Sequence, residues 1–282
     1  ATDGLTDCLA TSNLNAADVA RRLIAQATSD QDALIATQLP AGHTINLASV
    51  DARQIDAIMR RTLDQITVRH WHLNKAATES MKRNLAVGVT LGRNPKQVAE
   101  HMVRAVQGDF EGGLARALVI ARTEQLDAYR AAAQAHHNTN RDIIQGWQWY
   151  AELDHRTCPS CISHHGELHP LDDPGPLDHH QGRCSRLPVT KTWSQLGFDD
   201  IDEPPTALDE DAGYQWFQNQ PETMQKNILG PKRYDAWTGG RYPVDDWTIR
   251  KHHWSRDENG NQVQDWRDSY HVGPVKTHKP ST

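Results

Sequence analysis

The chain has 282 residues, with 30 Lys and Arg against 36 Asp and Glu, for a formal net charge of −6. That balance argues against a chain devoted to bulk phosphate neutralisation, because non-specific DNA binders are basic overall. No apolar run approaches a membrane span and no signal-peptide core opens the sequence; four cysteines are too sparse for a disulfide scaffold.

In chain order, Asn15 caps a predicted helix over Ala16–Ala27, with Val19, Leu23 and Ala27 on one stripe. A second periodic stretch runs from about Val50 to Leu85 through Ile55, Ile58, Met59, Leu63 and Ile66. Pro95–Gln107 has the clearest helix boundaries: Asn94 at the cap, Pro95 in the first helical position and Gly108 past the end. A longer helix is predicted from Leu114 to about Ala135, with Leu114, Ala117, Leu118, Ala121, Ala128 and Ala132 on one face. Its opening, Ala117–Ala121, is apolar nearly all round, which predicts a buried helix with others packed on it.

Near Gln145 the texture changes. The first part holds 2 of the 14 prolines and 1 of the 9 tryptophans; the second holds the remainder, and its 14 basic residues face 21 acidic ones. Proline ends helices and tryptophan fills irregular cores, so the shift reads as helical first and loop-rich second. Trp147–Leu153 reads as a strand, with Trp147, Trp149 and Ala151 alternating with Gln148, Tyr150 and Glu152. Leu187–Thr190 is a shorter strand, and the stretch between the two is too broken for regular structure unless something pins it. Pro221–Leu229 and Pro231–Trp237 each begin with Pro and end at Gly, predicting two short helices in succession. Ser255–Thr282 is polar and weakly periodic, as an arm on a neighbour or a disordered tail would be. The fold class expected is α+β: a largely helical N-terminal part, then a small zinc-stapled lobe with short strands and helices.

The staple is read from Cys158-Pro159-Ser160-Cys161 and the later run Asp178-His179-His180-Gln181-Gly182-Arg183-Cys184. Two thiolates at C-x2-C spacing grip one metal from a tight turn, and His179 with Cys184 can complete a tetrahedron. Zn²⁺ favours such a Cys₃His set, and four protein ligands leave no open position, so the site is structural. His180, His164, His165 and His169 compete with His179 for the nitrogen position, while Cys8 is remote and reads as a lone small hydrophobe. A redox role for Cys158 and Cys161 fits poorly, because such pairs open a helix in a βαβ unit. An HNH-like zinc-containing endonuclease is the alternative reading, with Asp178-His179-His180 near a catalytic metal. It requires a following helix with Asn and a second His, whereas Ser185-Arg186-Leu187-Pro188-Val189-Thr190 reads as a strand. No nucleophile-elbow, phosphate-loop, dinucleotide or H-E-x-x-H motif is present, so no catalytic residue is assigned. Arg122-Thr123-Glu124 reads as a solvated helix face, or else as internal pairs. Arg60-Arg61 and Lys82-Arg83 are local basic patches.

Four motifs in order carry a family resemblance. They are Leu118-Val119-Ile120 followed by Ala121-Arg122-Thr123-Glu124; Trp149 and Asp154-His155-Arg156-Thr157 leading into the Cys158–Cys161 knuckle and Gly166; His179 to Cys184; and Ile228-Leu229-Gly230-Pro231-Lys232-Arg233-Tyr234 with Trp237. Together, over roughly residues 95–245, they resemble the bacteriophage Mu F-like head-morphogenesis proteins, also called minor head or minor capsid proteins. His180 stands where that family usually has Pro, and Gly182 where it often has the first Cys of Cys-Arg-Cys, which makes Cys184 the natural third thiolate. The resemblance implies a virion protein rather than an enzyme, inside the head near the portal and assembled in the host cytoplasm. Its expected role is in head assembly and DNA packaging or delivery. Portal and major capsid proteins are the implied partners, with packaged DNA as a further contact. The organisation expected is a Mu F-like domain over 93–245, with its knuckle at about 147–190, between an N-terminal helical region over 1–92 and an extended arm over 246–282, both outside the resemblance; the arm is too short for the toxin domains that some members carry.

Overall fold

Asn94 accepts a 2.9 Å hydrogen bond from the Lys96 amide, and Pro95 stands first in the helix, where its missing N–H costs nothing. The computed structural model describes residues 26–51, 53–54, 57–58, 75–90, 93–106, 113–179, 181–203, 207–251, 254–256, 262–264 and 269–276. Ala16 to Ile24, Ile55, Met59, Leu63, Ile66, Cys8, Arg60, Arg61 and His180 lie outside them. The chain divides into two compact units, Ala1–Ile143 and Ile144–Thr282, at the place where the composition changes.

The described helices of the first unit include α1 (residues 26–36), α2 (Lys75–Thr90), α3 (Pro95–Val106) and α4 (Gly113–Thr139), and residues 53–54 and 57–58 are helical as well. The periodic positions meet in one core, where Ala27, Met81, Leu85, Val98, Met102, Ala121, Ala128 and Ala132 are buried together and Ile58 packs against them. Small residues let the helices approach closely; a Cβ at Gly88 would sit 2.2 Å from a Val98 methyl. The 92/93 position falls between α2 and α3, which pack on each other. α4 runs past Ala135 and buries His136 and His137, whose Nε2 atoms meet Asp32 (2.9 Å) and Gln31 (2.7 Å) on α1. Asn140 closes the helix end by bonding both the N–H and the C=O of Ala48.

The second unit opens with β1 (Ile144–Tyr150), the central strand of an antiparallel sheet of order β2-β1-β3, with β2 at Leu168–Pro170 and β3 at Ser185–Thr190. β1 begins and ends three residues before the predicted strand, pairing Trp147 with His169 on β2 and Gln148 with Leu187 on β3. Between β1 and β2 lies α5 (Pro159–His164), a short helix that strand–loop reasoning did not anticipate. Then follow α6 (Ala212–Gln218), α7 (Glu222–Leu229) and α8 (Pro231–Thr238); Gly230 and Gly239 end the last two, as expected. Ile162, Phe217, Leu229, Ala236, Tyr242 and Trp247 form a buried aromatic core, with Phe217 and Trp247 rings edge-to-face at 4.8 Å.

The tail is not the extended arm expected. β4 (Thr248–Lys251) pairs antiparallel with β7 (Ser269–Val272), enclosing a hairpin of β5 (Trp254–Arg256) and β6 (Gln262–Gln264). Its chain returns to its own unit: Tyr242 donates to the Gly273 carbonyl at 2.8 Å, and Tyr270 packs edge-on against Trp149. Among the described residues no helix is long and apolar enough to cross a membrane. The α+β mixture of helices and small antiparallel sheets is as expected.

Candidate metal centre

Asp154 builds the turn that presents the first two thiols. Its carboxylate accepts from the Arg156 amide at 2.8 Å, while the Thr157 hydroxyl accepts from the Asp154 amide at 3.0 Å and donates to the Glu152 carbonyl. Arg183 then reaches across with two hydrogen bonds to the same carboxylate, at 2.6 and 2.9 Å, tying the outgoing leg of the loop to the returning one. The Arg183 guanidinium, assisted by Arg156, holds the Asp154 carboxyl well below the usual carboxylate range. Cys158 follows at the N-cap of α5, Pro159 takes its first turn, and the Cys161 amide points at the Cys158 sulfur at 3.4 Å. The C-x2-C pair therefore does open a helix, contrary to expectation. That helix follows an antiparallel strand, so the surroundings are not the βαβ unit of a dithiol oxidoreductase.

The returning leg is a tight turn. Gly182 donates to the His179 carbonyl at 2.9 Å, Gln181 adopts a left-handed φ of 62°, and the Cys184 amide donates to Asp178 Oδ2 at 3.2 Å. Two overlapping donor groups result. The ligand atoms of Cys158, Cys161 and His179 lie within 4.8 Å of one another, and so do those of Cys161, Asp178 and Cys184. Cys161 belongs to both, with its sulfur 3.9 Å from His179 Nε2. All four residues singled out from the sequence thus come together, and Asp178 joins them. Cys158, Cys161, His179 and Cys184 line a cavity of about 50 Å³, and Trp147, Trp149 and Ala151 pack against Cys161 and Cys184.

Three thiols in so small a space disturb one another. The Cys161 thiol bonds to the Cys158 sulfur, which with His179 nearby pulls the Cys158 thiol down despite its burial. Cys161 is pushed up by the same bond, by Cys184 and by burial. Such crowding disfavours three simultaneous thiolates unless a cation sits among them, and soft sulfur donors with one imidazole suit a borderline metal such as Zn²⁺. The donors available fit that ion.

Among the described residues, the competing histidines His164, His165 and His169 are engaged elsewhere. His164 stacks on Trp149 at 4.7 Å, pairs with Glu167 through Nδ1 and meets the Thr248 hydroxyl through Nε2 at 3.0 Å. His165 Nδ1 accepts from the Ala151 amide at 3.0 Å, which fixes its tautomer. His169 stacks on Trp147 at 4.3 Å between Glu167 and Asp173. Two residues that support the site were not singled out. Gln148 is buried, and Arg186 lies 4.1 Å over the Trp147 ring while donating to the carbonyls of Leu171, Asp173 and Gly175. Burial lowers that guanidinium to about 9. A polar residue at an alternating strand position carries no sign of burial in the sequence, so neither was visible. In the first unit, Arg122 is exposed as a solvated face requires, but Thr123 and Glu124 are buried, with the Thr123 hydroxyl donating to the Val119 carbonyl at 2.8 Å.

Residues 79–187 match the family model described as Phage Mu protein F like protein. The match runs from within α2 to β3 and includes every donor of the centre; it ends before the Leu229-Gly230-Pro231 segment that also suggested the family. No curated protein and no solved structure matches the chain. Over residues 79–187 the chain is therefore similar to phage Mu F-like proteins, the head-morphogenesis family that its motifs resemble.

Proposed function

We propose that this chain is a structural minor head protein of a bacteriophage, in which one zinc ion per chain, held by Cys158, Cys161, His179 and Cys184, staples the loops of the second unit. The observation that carries this reading is the match of residues 79–187 to a phage protein family, with the whole donor cluster inside the matched stretch. Zinc would neutralise the crowded thiolates and tie the N-terminus of α5 to the leg entering β3, two segments joined across a small cavity lined largely by loop residues. Each protein residue then has a plain task. Asp154 and Arg183 clamp the two legs, Thr157 shapes the first, and Trp149 with Ala151 shields the sulfurs from water. With four protein ligands such a centre holds structure and does not activate water.

On this reading the protein sits inside the head near the portal. The portal and major capsid proteins are its partners, and it serves head assembly and DNA packaging or delivery. The acidic excess of the second half favours protein partners over duplex DNA for that unit. Mass spectrometry of purified heads tests it: peptides of this chain co-purify with the portal protein, and tagged chain pulls portal protein from an assembly lysate. Clean absence from mature heads and proheads refutes the virion role.

A further inference from the structure

The donor cluster holds one more ligand atom than a tetrahedral ion needs. A zinc ion with Zn–S bonds near 2.3 Å sets its donors about 3.8 Å apart. The five side chains here form two triplets that share Cys161, one completed by the His179 imidazole and the other by the Asp178 carboxylate. Asp178 is placed there by construction. Its Oδ2 accepts the Cys184 amide at 3.2 Å, so the carboxylate and the third sulfur are locked to one turn. Gly182 makes room for it: a Cβ at that position would lie 1.8 Å from Asp178 Oδ2 and 2.6 Å from Oδ1. Gly182 is not among the residues of left-handed φ, so space, not backbone conformation, is what the missing side chain supplies. The carboxylate occupies the volume into which any side chain at 182 would project.

We propose that Asp178 is an alternative ligand of the centre, a carboxylate that takes the fourth position beside the thiolates when the His179 imidazole leaves it. This rests on the metal reading above. With His179 in place the set is Cys₃His; with Asp178 it is Cys₃Asp, more negative by one charge and still four-coordinate, so the ion is retained through the exchange. The centre is then a site with two interchangeable faces instead of a single closed tetrahedron.

The test is Co²⁺ titration of the full chain, read by thiolate-to-cobalt absorption and by metal content, for wild type, H179A, D178N, the H179A/D178N double variant and H179A/G182A. H179A is expected to keep about one equivalent with affinity reduced roughly 10- to 100-fold, and the double variant to lose a further factor of about 100 or more. D178N keeps an oxygen to accept the Cys184 amide, so its fold is retained, and its Co²⁺ spectrum matches that of wild type. G182A combined with H179A behaves like the double variant, because the added methyl evicts the carboxylate. Equal affinities, within about twofold, for H179A and H179A/D178N overturn the role of Asp178 while leaving the metal centre standing. A wild-type chain that binds no Co²⁺ overturns the metal reading itself, and melting curves of the metal-free variants separate either result from misfolding.

Discussion

Gln148 is the sharpest point of difference between a pattern-based and a structural account of this lobe. Alternation along the strand puts it outward beside Tyr150, where its replacement changes stability by no more than about 0.5 kcal/mol. In the structure it is 2 % exposed, and its amide makes three hydrogen bonds to main chain: Nε2 donates to the carbonyls of Gly166 and Leu208, both at 2.7 Å, and Oε1 accepts from the Leu208 amide at 2.9 Å. These bonds pin β1 to the turn after α5 and to the segment leading into α6. Gln148→Leu keeps the volume but removes all three. At about 1 kcal/mol net per bond the loss is about 3 kcal/mol, with Leu208 half-buried and so partly rescued by water, leaving about 2–3. For a cooperative unit of this size, that lowers the melting temperature by about 10 °C. Differential scanning calorimetry of the full chain, with urea unfolding followed by tryptophan fluorescence, measures it; eight of the nine tryptophans lie in the second half. A shift under about 2 °C would return Gln148 to the surface and refute the β1 anchoring described above.

Two further outcomes follow from the same geometry. Because Arg183 holds the Asp154 carboxyl below its usual range, the pair stabilises the fold fully above the unfolded aspartate value of about 3.9, and the contribution is lost as pH falls from there toward the depressed value. Asp154→Asn should flatten the acid limb of a melting-temperature profile below pH ~4; parallel profiles for wild type and variant would remove Asp154 from the loop clamp. Gly213→Ala places a methyl 2.1 Å from the Ile162 carbonyl oxygen and 2.8 Å from His165 Cβ, where α6 crosses α5. Overpacking against main chain costs about 1–3 kcal/mol, read by urea unfolding, and a neutral result would show that the two helices separate readily.

The helical half was readable where local signals were strong. Asn94, Pro95 and the alanine stripe of α4 state their own geometry, and Pro-to-Gly punctuation marked α7 and α8. The candidate sulfur ligands were legible because C-x2-C and a later Cys have few other uses together. The candidate nitrogen ligand was not singled out by spacing alone: His164, His165 and His169 are engaged by rings, carboxylates and a main-chain amide brought to them by the fold, which no linear pattern encodes. α5 was hidden because its cap is a cysteine and its length is one and a half turns. β4 and β7 are short and polar, and they pair across an intervening hairpin, so the alternation that reveals strands is absent. Asp178 was overlooked as a candidate ligand for another reason. Its proximity to Cys161 and Cys184 depends on Gly182 being bare, a fact about space instead of residue type.

The central claim is that a metal holds the second unit together, and metal content tests it most directly. The full chain, purified in metal-replete medium without chelator and analysed by inductively coupled plasma mass spectrometry, should carry about one zinc per chain, and Cys161→Ser should carry almost none, since that sulfur belongs to both donor groups. A wild-type chain that is folded, has its three lobe thiols reduced and yet holds less than about 0.2 equivalents of zinc would contradict the account.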